Sequence, residues 1–208
     1  MAIETTTATS VTPTSSTEML GLDGTNSLKR HNAAKFGIGA PQEWTIWAGH
    51  ILPQATAGAQ RGIAYMATNL QPVETLDFDQ TTQEFAVAIA KLPKRWNLGT
   101  FTFRPLWTAA SGSGGVVWAV EALAVGDDDT LDAAYGTAQT STDTLLSAND
   151  LHVGPESSAI TAAGTPAAGD VLLLRVKRVP ADAGDTLAAD AKLLGIVVTW
   201  TQTIGSDA

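Results

Sequence analysis

The chain has no cysteine, which excludes a disulfide framework and any thiolate metal site. Basic residues are scarce, with 12 Lys and Arg against 21 Asp and Glu and a formal net charge of −9. They come at most in pairs such as Lys29-Arg30 and Lys94-Arg95. No basic stripe is available to neutralise phosphates, so no nucleic-acid partner is expected. No apolar run approaches the roughly 18 residues of a spanning helix, so no membrane insertion is expected. The first residues have neither the basic nor the apolar segment of a secretory signal, so no cleaved signal of that kind is expected. Only three histidines occur, His31, His50 and His152, and none stands in an HxH or HExxH spacing. No metal, other cofactor or catalytic residue is therefore expected. Ser111-Gly112-Ser113-Gly114-Gly115 lacks the strand–turn–helix context of a nucleophile elbow. It also lacks the lysine and following helix of a phosphate loop.

What the chain does have is alternation. In Gly99 to Gly126, Phe101, Phe103, Pro105 and Trp107 recur at every second position, the period of a strand with one buried face. After a Gly/Ser loop, Val116 to Val125 is apolar on nearly both faces. The pair reads as a long hairpin with a solvent-facing tip, one wall of a β-sandwich.

Other segments follow suit. Trp44, Ile46 and Ala48 form a first strand, which Ile51-Leu52-Pro53 extends past a bulge. Residues 54–72 read as a loop with one short piece around Ile63 to Asn69. Val73–Phe78 and Glu84–Leu92 are strands, the second with Phe85, Val87 and Ile89 inward. Asp129 or Thr130 is placed to cap one short helical turn. Gln139–Leu146, Asn149–Val153, Ser157–Ala162, Asp170–Val179 and Lys192–Thr201 complete the set. In the last, Leu194, Ile196, Val198 and Trp200 share one face. About eight strands and no long helix predict an all-β fold, an antiparallel sandwich or jelly roll over residues 43–208.

Residues 1–42 read differently. More than half of residues 1–17 are Thr or Ser, too little apolar content to offset ordering alone. Such a leader is a loose tail or an extended arm that orders against a neighbour. Met19 to Arg30 reads as a tiny hairpin, with Asp23-Gly24 and Asn26 as turn residues. Met19, Leu20, Leu22 and Leu28 are its apolar grips and the candidate attachment residues. Two short strands are marginal in water, so this unit wants a partner.

Among the six tryptophans, Trp118 and Trp200 fit inward strand positions. Trp47 and Trp96 are the candidate surface or interface aromatics, able to stack on a sugar or anchor a subunit contact. The acid run Asp127 to Asp129 with Asp132 lacks calcium-loop spacing and reads as a solvated loop. Glu43, Glu74, Glu84, Glu121 and Glu156 are available for glycoside chemistry, but no spacing singles out a pair.

The strings FRPLWTAASGSGGVVWAVEALAVGDDDTLDAAYGTAQTSTDTLLSANDLHV and AGDTLAADAKLLGIVVTWT resemble a β-sandwich module of tailed-bacteriophage structural proteins. MLGLDGTNSLKR is similar to the particle-proximal pieces of phage fibre proteins. The resemblance implies a non-enzymatic virion surface protein without a cofactor, self-associating as a homotrimer and joined to other virion proteins of capsid or tail. A spike or fibre module and a capsid decoration protein are both consistent with it. The remaining readings are a carbohydrate-binding module, with a host surface glycan as partner, and, more remotely, a hydrolase.

Overall fold

The computed structural model describes residues 18–22, 28–32, 39 and 41–203. The chain divides into two compact units, Met1–Ala40 and Pro41–Ala208. In the first, β1 (Glu18–Leu22) and β2 (Leu28–Asn32) pair antiparallel, with Met19 opposite His31, Leu20 opposite Arg30 and Leu22 opposite Leu28. Met19, Leu20, Leu22 and Leu28 therefore lie on paired strands. The Thr-rich leader 1–17 and the turn residues Asp23, Gly24 and Asn26 lie outside the described residues.

The second unit is an all-β antiparallel sandwich. Its strands are β3 (Pro41–Trp47), β4 (Ile51–Pro53), β5 (Gln60–Tyr65), β6 (Pro72–Phe78), β7 (Phe85–Lys91) and β8 (Thr102–Thr108). They continue with β9 (Gly114–Val125), β10 (Gln139–Leu145), β11 (His152–Val153), β12 (Val171–Arg178) and β13 (Ala191–Thr201). Sheet I runs β10-β9-β12-β7-β4, and sheet II runs β11-β8-β13-β6-β5. β3 also joins sheet II, beside the C-terminal half of β13.

The core forms where the apolar rows of the two sheets face each other. Sheet II contributes Phe78, Phe103, Trp107, Ile196 and Val198, and sheet I contributes Trp118, Val120, Leu172 and Leu174. Phe78 and Trp118 meet edge-on with ring centroids 5.2 Å apart. Burial of this kind contributes on the order of 2 kcal/mol per large apolar side chain. One end is pinned by Arg178, fully buried and paired with Asp185 at 2.7 Å. Arg178 also donates to the carbonyls of Ala189 at 2.8 Å and Leu187 at 2.6 Å. A buried guanidinium is tolerated because its donors are met in this way.

Several expected connections differ. The stretch Gly99–Gly126 is not a hairpin, because β8 belongs to sheet II and β9 to sheet I. Two apolar rows side by side in one sheet would both need a separate cover. Placed in opposite sheets they cover each other, with Trp107 and Trp118 6.3 Å apart. The loop turns the corner through Gly114, at φ +128, where a Cβ would lie 2.8 Å from the Thr186 backbone. The Thr186 and Leu187 N–H groups donate to the Gly115 carbonyl, so only 110–113 form the exposed tip. Ile51–Pro53 does not extend β3. A 3-10 turn at Ala48–His50 carries it into sheet I, beside β7.

In β7 the expected faces are reversed. Ala86 and Ala88 are fully buried and Ile89 is 57% exposed. The same core cluster holds Ile51, Leu76 and Phe78, and the row of methyl groups is the one that fits among them. The piece near Ile63 is the end of β5, paired with β6. No helical turn follows Gly126: its N–H donates to Asp129 Oδ2 at 3.0 Å, and the Asp132 N–H to Thr130 Oγ1 at 3.2 Å. Both are bonds of the kind that cap a helix, yet the chain runs on without a helical turn behind them. Residues 157–162 form no strand, only the isolated bridges Phe101–Ile160 and, next to it, Leu123–Ala163.

Candidate functional site

The site begins with one extra residue in β13. Against β8, Leu193 pairs with Trp107 and Gly195 with Leu106, so the register shifts between them. Leu193 is therefore the fully buried leucine, and Leu194, expected in the inward row, is only half-buried. A bulge of this kind re-aims one side chain and bends the strand. Gly195 permits it: a Cβ there would lie 2.7 Å from the Ile46 carbonyl oxygen.

Leu194 and Val73 form the floor of a trough across sheet II. One lobe, of ≈ 130 Å³, is bounded by Ala64, Met66, Thr108, Asn149, Asp150 and Leu151. The other, of ≈ 250 Å³, is bounded by Trp47, Ala48, Pro72 and Glu74. Trp47 pairs with Gly195 at the end of β3 and is 53% exposed. It is the one aromatic side chain among the described residues that line the trough.

The polar rim is held by local chemistry. Asn149 takes a left-handed conformation, φ +64, which asparagine tolerates, and its N–H donates to the Ala109 carbonyl at 2.8 Å. His152 shapes the same loop. Its Nε2 accepts the Leu146 N–H at 2.9 Å, so Nδ1 carries the proton and donates to the Asp150 carbonyl at 3.0 Å. The ring packs on Trp107, 5.0 Å between centroids. On the other side, the Met66 N–H donates to Gln71 and the Leu70 N–H to Met66, fixing the β5–β6 turn. Lys192 pairs with Asp77 and stands beside Thr108 in the register.

Thr108 carries the most informative atom. It is 4% exposed, and its Oγ1 has no hydrogen-bond partner. A buried hydroxyl left unpaired costs about 1–3 kcal/mol, so a group that reaches into this lobe and pairs with it recovers that loss. Asp150 is the ionisable side chain of the first lobe among the described residues, and Glu74 borders the second from β6 with its side chain on the Leu76–Phe78 side of the strand. The Glu74 carboxylate lies against Gly49, where a Cβ would fall 2.1 Å from Oε2. An apolar floor, one aromatic wall and a few acceptors suit a molecule with greasy faces and polar edges.

Of the two candidate surface tryptophans, Trp47 lies in the trough and Trp96 does not reach the surface. Trp96 is 2% exposed and stacks on Phe101 at 5.0 Å. The turn that closes through its N–H and the Pro93 carbonyl tucks the ring inward, and its backbone bridges Gln202. Trp118 and Trp200 are buried as expected. His50 is exposed at the end of the 3-10 turn, and the side chain of His31 lies outside the described residues.

The remaining glutamates serve the fold. Glu43 pairs with Arg104, Glu156 accepts from the Thr102 hydroxyl, and Glu84 accepts the Asp79 N–H at 2.8 Å. Glu121 is buried on the outer face of sheet I with Arg175 and Lys177. The Arg175 guanidinium lies over the Tyr135 ring at 4.4 Å, and burial raises the Tyr135 phenol pKa despite that cation. The Asp127–Asp129 run joins no cluster of three potential metal ligands among the described residues. Thr108, Leu194, Asn149 and Asp150 were not singled out by sequence, and only the Leu-Leu-Gly run at 193–195 hints at a bulge.

No protein-family model and no curated protein matches the chain. Solved structures that resemble it include the family 11 carbohydrate-binding module from Clostridium thermocellum, in complex with a β-1,3-1,4-mixed-linked tetrasaccharide. It is 8% identical, covers 75% of this chain and 94% of that one, and has a TM-score of 0.39. TmCBM61 in complex with β-1,4-galactotriose is 11% identical over 81% and 93% of the two chains, TM-score 0.34. A chain of infectious bursal disease virus, Gx strain, is 14% identical over 91% and 37%, TM-score 0.36. Likeness at this level goes no further than strands stacked in a sandwich, and the fold assignment rests on the strand pairing above.

Proposed function

We propose that this sandwich is a non-enzymatic glycan-recognition module and that the trough on sheet II is where the sugar sits. The observation that carries the reading is the buried, unpartnered Thr108 hydroxyl in a trough walled by an exposed Trp47. Sugar rings present C–H faces that stack on indole and hydroxyls that pair with hydroxyl, amide and carboxylate groups. A glycan array followed by affinity electrophoresis tests it. Wild type should be retarded by at least one neutral polysaccharide, and Trp47→Ala should lose most of that retardation. Equal retardation of the two proteins would remove Trp47 and the trough from the account.

A second reading concerns where such a module works. It is a surface protein of a phage particle, self-associating about a three-fold axis, with residues 1–42 and the grips Met19, Leu20, Leu22 and Leu28 as its anchor. Its support is the sequence resemblance together with an apolar row on the outer face of sheet I. Leu52 and Ile89, more than half exposed, and Val171, 36% exposed, stand there on three neighbouring strands. Rows of this kind mark contact surfaces. Light scattering should give three chains per particle for wild type and fewer for Ile89→Glu; a monomeric wild type would contradict self-association. Deleting residues 1–40, which leaves β3 whole, should leave a folded sandwich that no longer joins particles.

A further inference from the structure

We infer that β5 is an interface for a second copy of this chain: it pairs antiparallel with β5 of another protomer about a two-fold axis at Ile63. β5 is the last strand of sheet II, and among the described residues its one ladder partner is β6. The Met66 N–H donates to the Gln71 carbonyl, and Tyr65 stands opposite Pro72, which has no N–H to give. Those two facts fix the phase of the ladder. Gln60, Gly62 and Ala64 direct their N–H and C=O groups to β6, and Arg61, Ile63 and Tyr65 turn theirs to the open side. Among the described residues nothing takes those three N–H groups.

Open edges invite pairing, and proteins blunt them with brevity, proline or charge. β4 has three residues and ends in Pro53, β11 has two residues, and β3 opens on Pro41. The exposed residues of β10 are Thr140, Thr142 and Thr144. β5 runs for six residues without proline, and its Ile63 and Tyr65 are more than half exposed. One register suits both its backbone and its side chains. With Ile63 opposite the partner's Ile63, Arg61 falls opposite the partner's Tyr65, and Tyr65 opposite the partner's Arg61. All three open N–H and C=O pairs then find partners, because facing residues of this phase exchange both bonds. Arg61, Ile63 and Tyr65 share one face of the strand. Aliphatic therefore meets aliphatic and guanidinium meets ring, pairs that stabilise neighbouring strands. A two-fold contact has to match itself in this way. Arg61 is steadied by its bond to the Ile51 carbonyl at 2.9 Å.

The contact is one strand wide, so it adds a concentration-dependent step to any assembly through sheet I. It joins two six-stranded sheets edge to edge. The axis stands perpendicular to the joined sheet, so both troughs open on the same side, with Ala64 of β5 on the wall of each. This last point rests on the glycan reading above: a pair with two sugar sites on one side engages two glycans of one surface at once.

The test follows the full chain by light scattering and amide exchange from micromolar to near-millimolar concentration. The number of chains per particle should double over that range. Exchange at Arg61, Ile63 and Tyr65 should slow in step by about tenfold or more, while Gln60, Gly62 and Ala64 stay slow throughout. Ile63→Lys sets like charges opposite each other and should abolish the doubling, and so should Ile63→Glu. An equal mixture of the two variants should restore it, because opposite charges then meet at the axis. Ile89→Glu, on the other sheet, should leave the doubling in place. A mass that does not change with concentration overturns the pairing, and so does a mixture no better than its components. Retention on a glycan-coated surface should fall for Ile63→Lys, with its affinity for a free oligosaccharide equal to that of wild type. Equal retention overturns the two-site use and leaves the pairing intact. Failure of every sugar to bind overturns the glycan reading and the two-site use, and not the pairing.

Discussion

β9 and β13 are the two longest strands of the sandwich and neither is an edge strand, yet they end up with opposite surroundings. In β9 every residue from Gly115 to Val125 is buried. Its inner face meets the core, and its outer face carries Glu121 with Arg175 and Lys177, over which Phe85 and Tyr135 pack. The loop 184–187 closes over its beginning. In β13 the inner row is buried as deeply, but Lys192, Leu194, Thr199 and Thr201 remain half-open. The difference teaches where recognition belongs. One outer face is closed by the chain itself, and the other is left open where a bulge puts an apolar side chain outward.

That contrast has a clear consequence: changes on the closed side cost stability, and changes on the open side cost binding. The largest effect should come from Asp185→Ala, which leaves Arg178 buried without its counter-charge. Loss of one partner of such a pair costs about 3–5 kcal/mol. Urea unfolding should show it, while the folded fraction still binds sugar. Next come the two tryptophans. Trp96→Ala should lose about 3–5 kcal/mol of stability. Trp47→Ala should change stability by no more than about 0.5 kcal/mol and weaken sugar binding at least tenfold. A stable Trp96→Ala protein would break the comparison.

Thr108→Val sharpens it further, because the two readouts should move in opposite directions. Removing an unpaired buried hydroxyl should leave stability unchanged or raise it by about 1 kcal/mol. Binding should fall by about three- to tenfold if the sugar supplies the missing partner. The smallest effect concerns the β6–β7 turn, away from both faces. The Thr81 hydroxyl, with the Thr82 and Thr81 amides, holds the Asp79 carboxyl at about 2, below its usual 3.8. Its contribution is fully present above pH 3.8 and is lost as pH falls through about 2. Asp79→Asn should flatten that part of the stability–pH curve slightly and leave binding unchanged at neutral pH.

The residues themselves announced much of the fold. Leu172, Leu174 and Val176 alternate with Arg175 and Lys177, and that alternation marks a core face wherever the strand lands. It does not say which sheet the strand joins, which is why β8 and β9 read as a hairpin although they face each other. Nor does it resolve equal candidates: Leu193 and Leu194 are chemically identical, and only the bulge decides which one is inward. Trp47 was legible as a surface aromatic. Trp96 was not, because its neighbours Lys94, Arg95 and Asn97 are polar while the ring folds under onto Phe101. Thr108, Asn149 and Asp150 meet at the trough only through the β8–β11 pairing and the His152 contacts. No local pattern encodes a contact across some forty residues.

The most direct measurement is a titration of the labelled protein with a bound oligosaccharide, followed by amide and indole NMR shifts. The account predicts that the Trp47 indole and the amides of Val73, Thr108, Asn149 and Leu194 move together, while β7, β9 and β12 stay still. Shifts centred on the outer face of sheet I, with Trp47 unmoved, would contradict it.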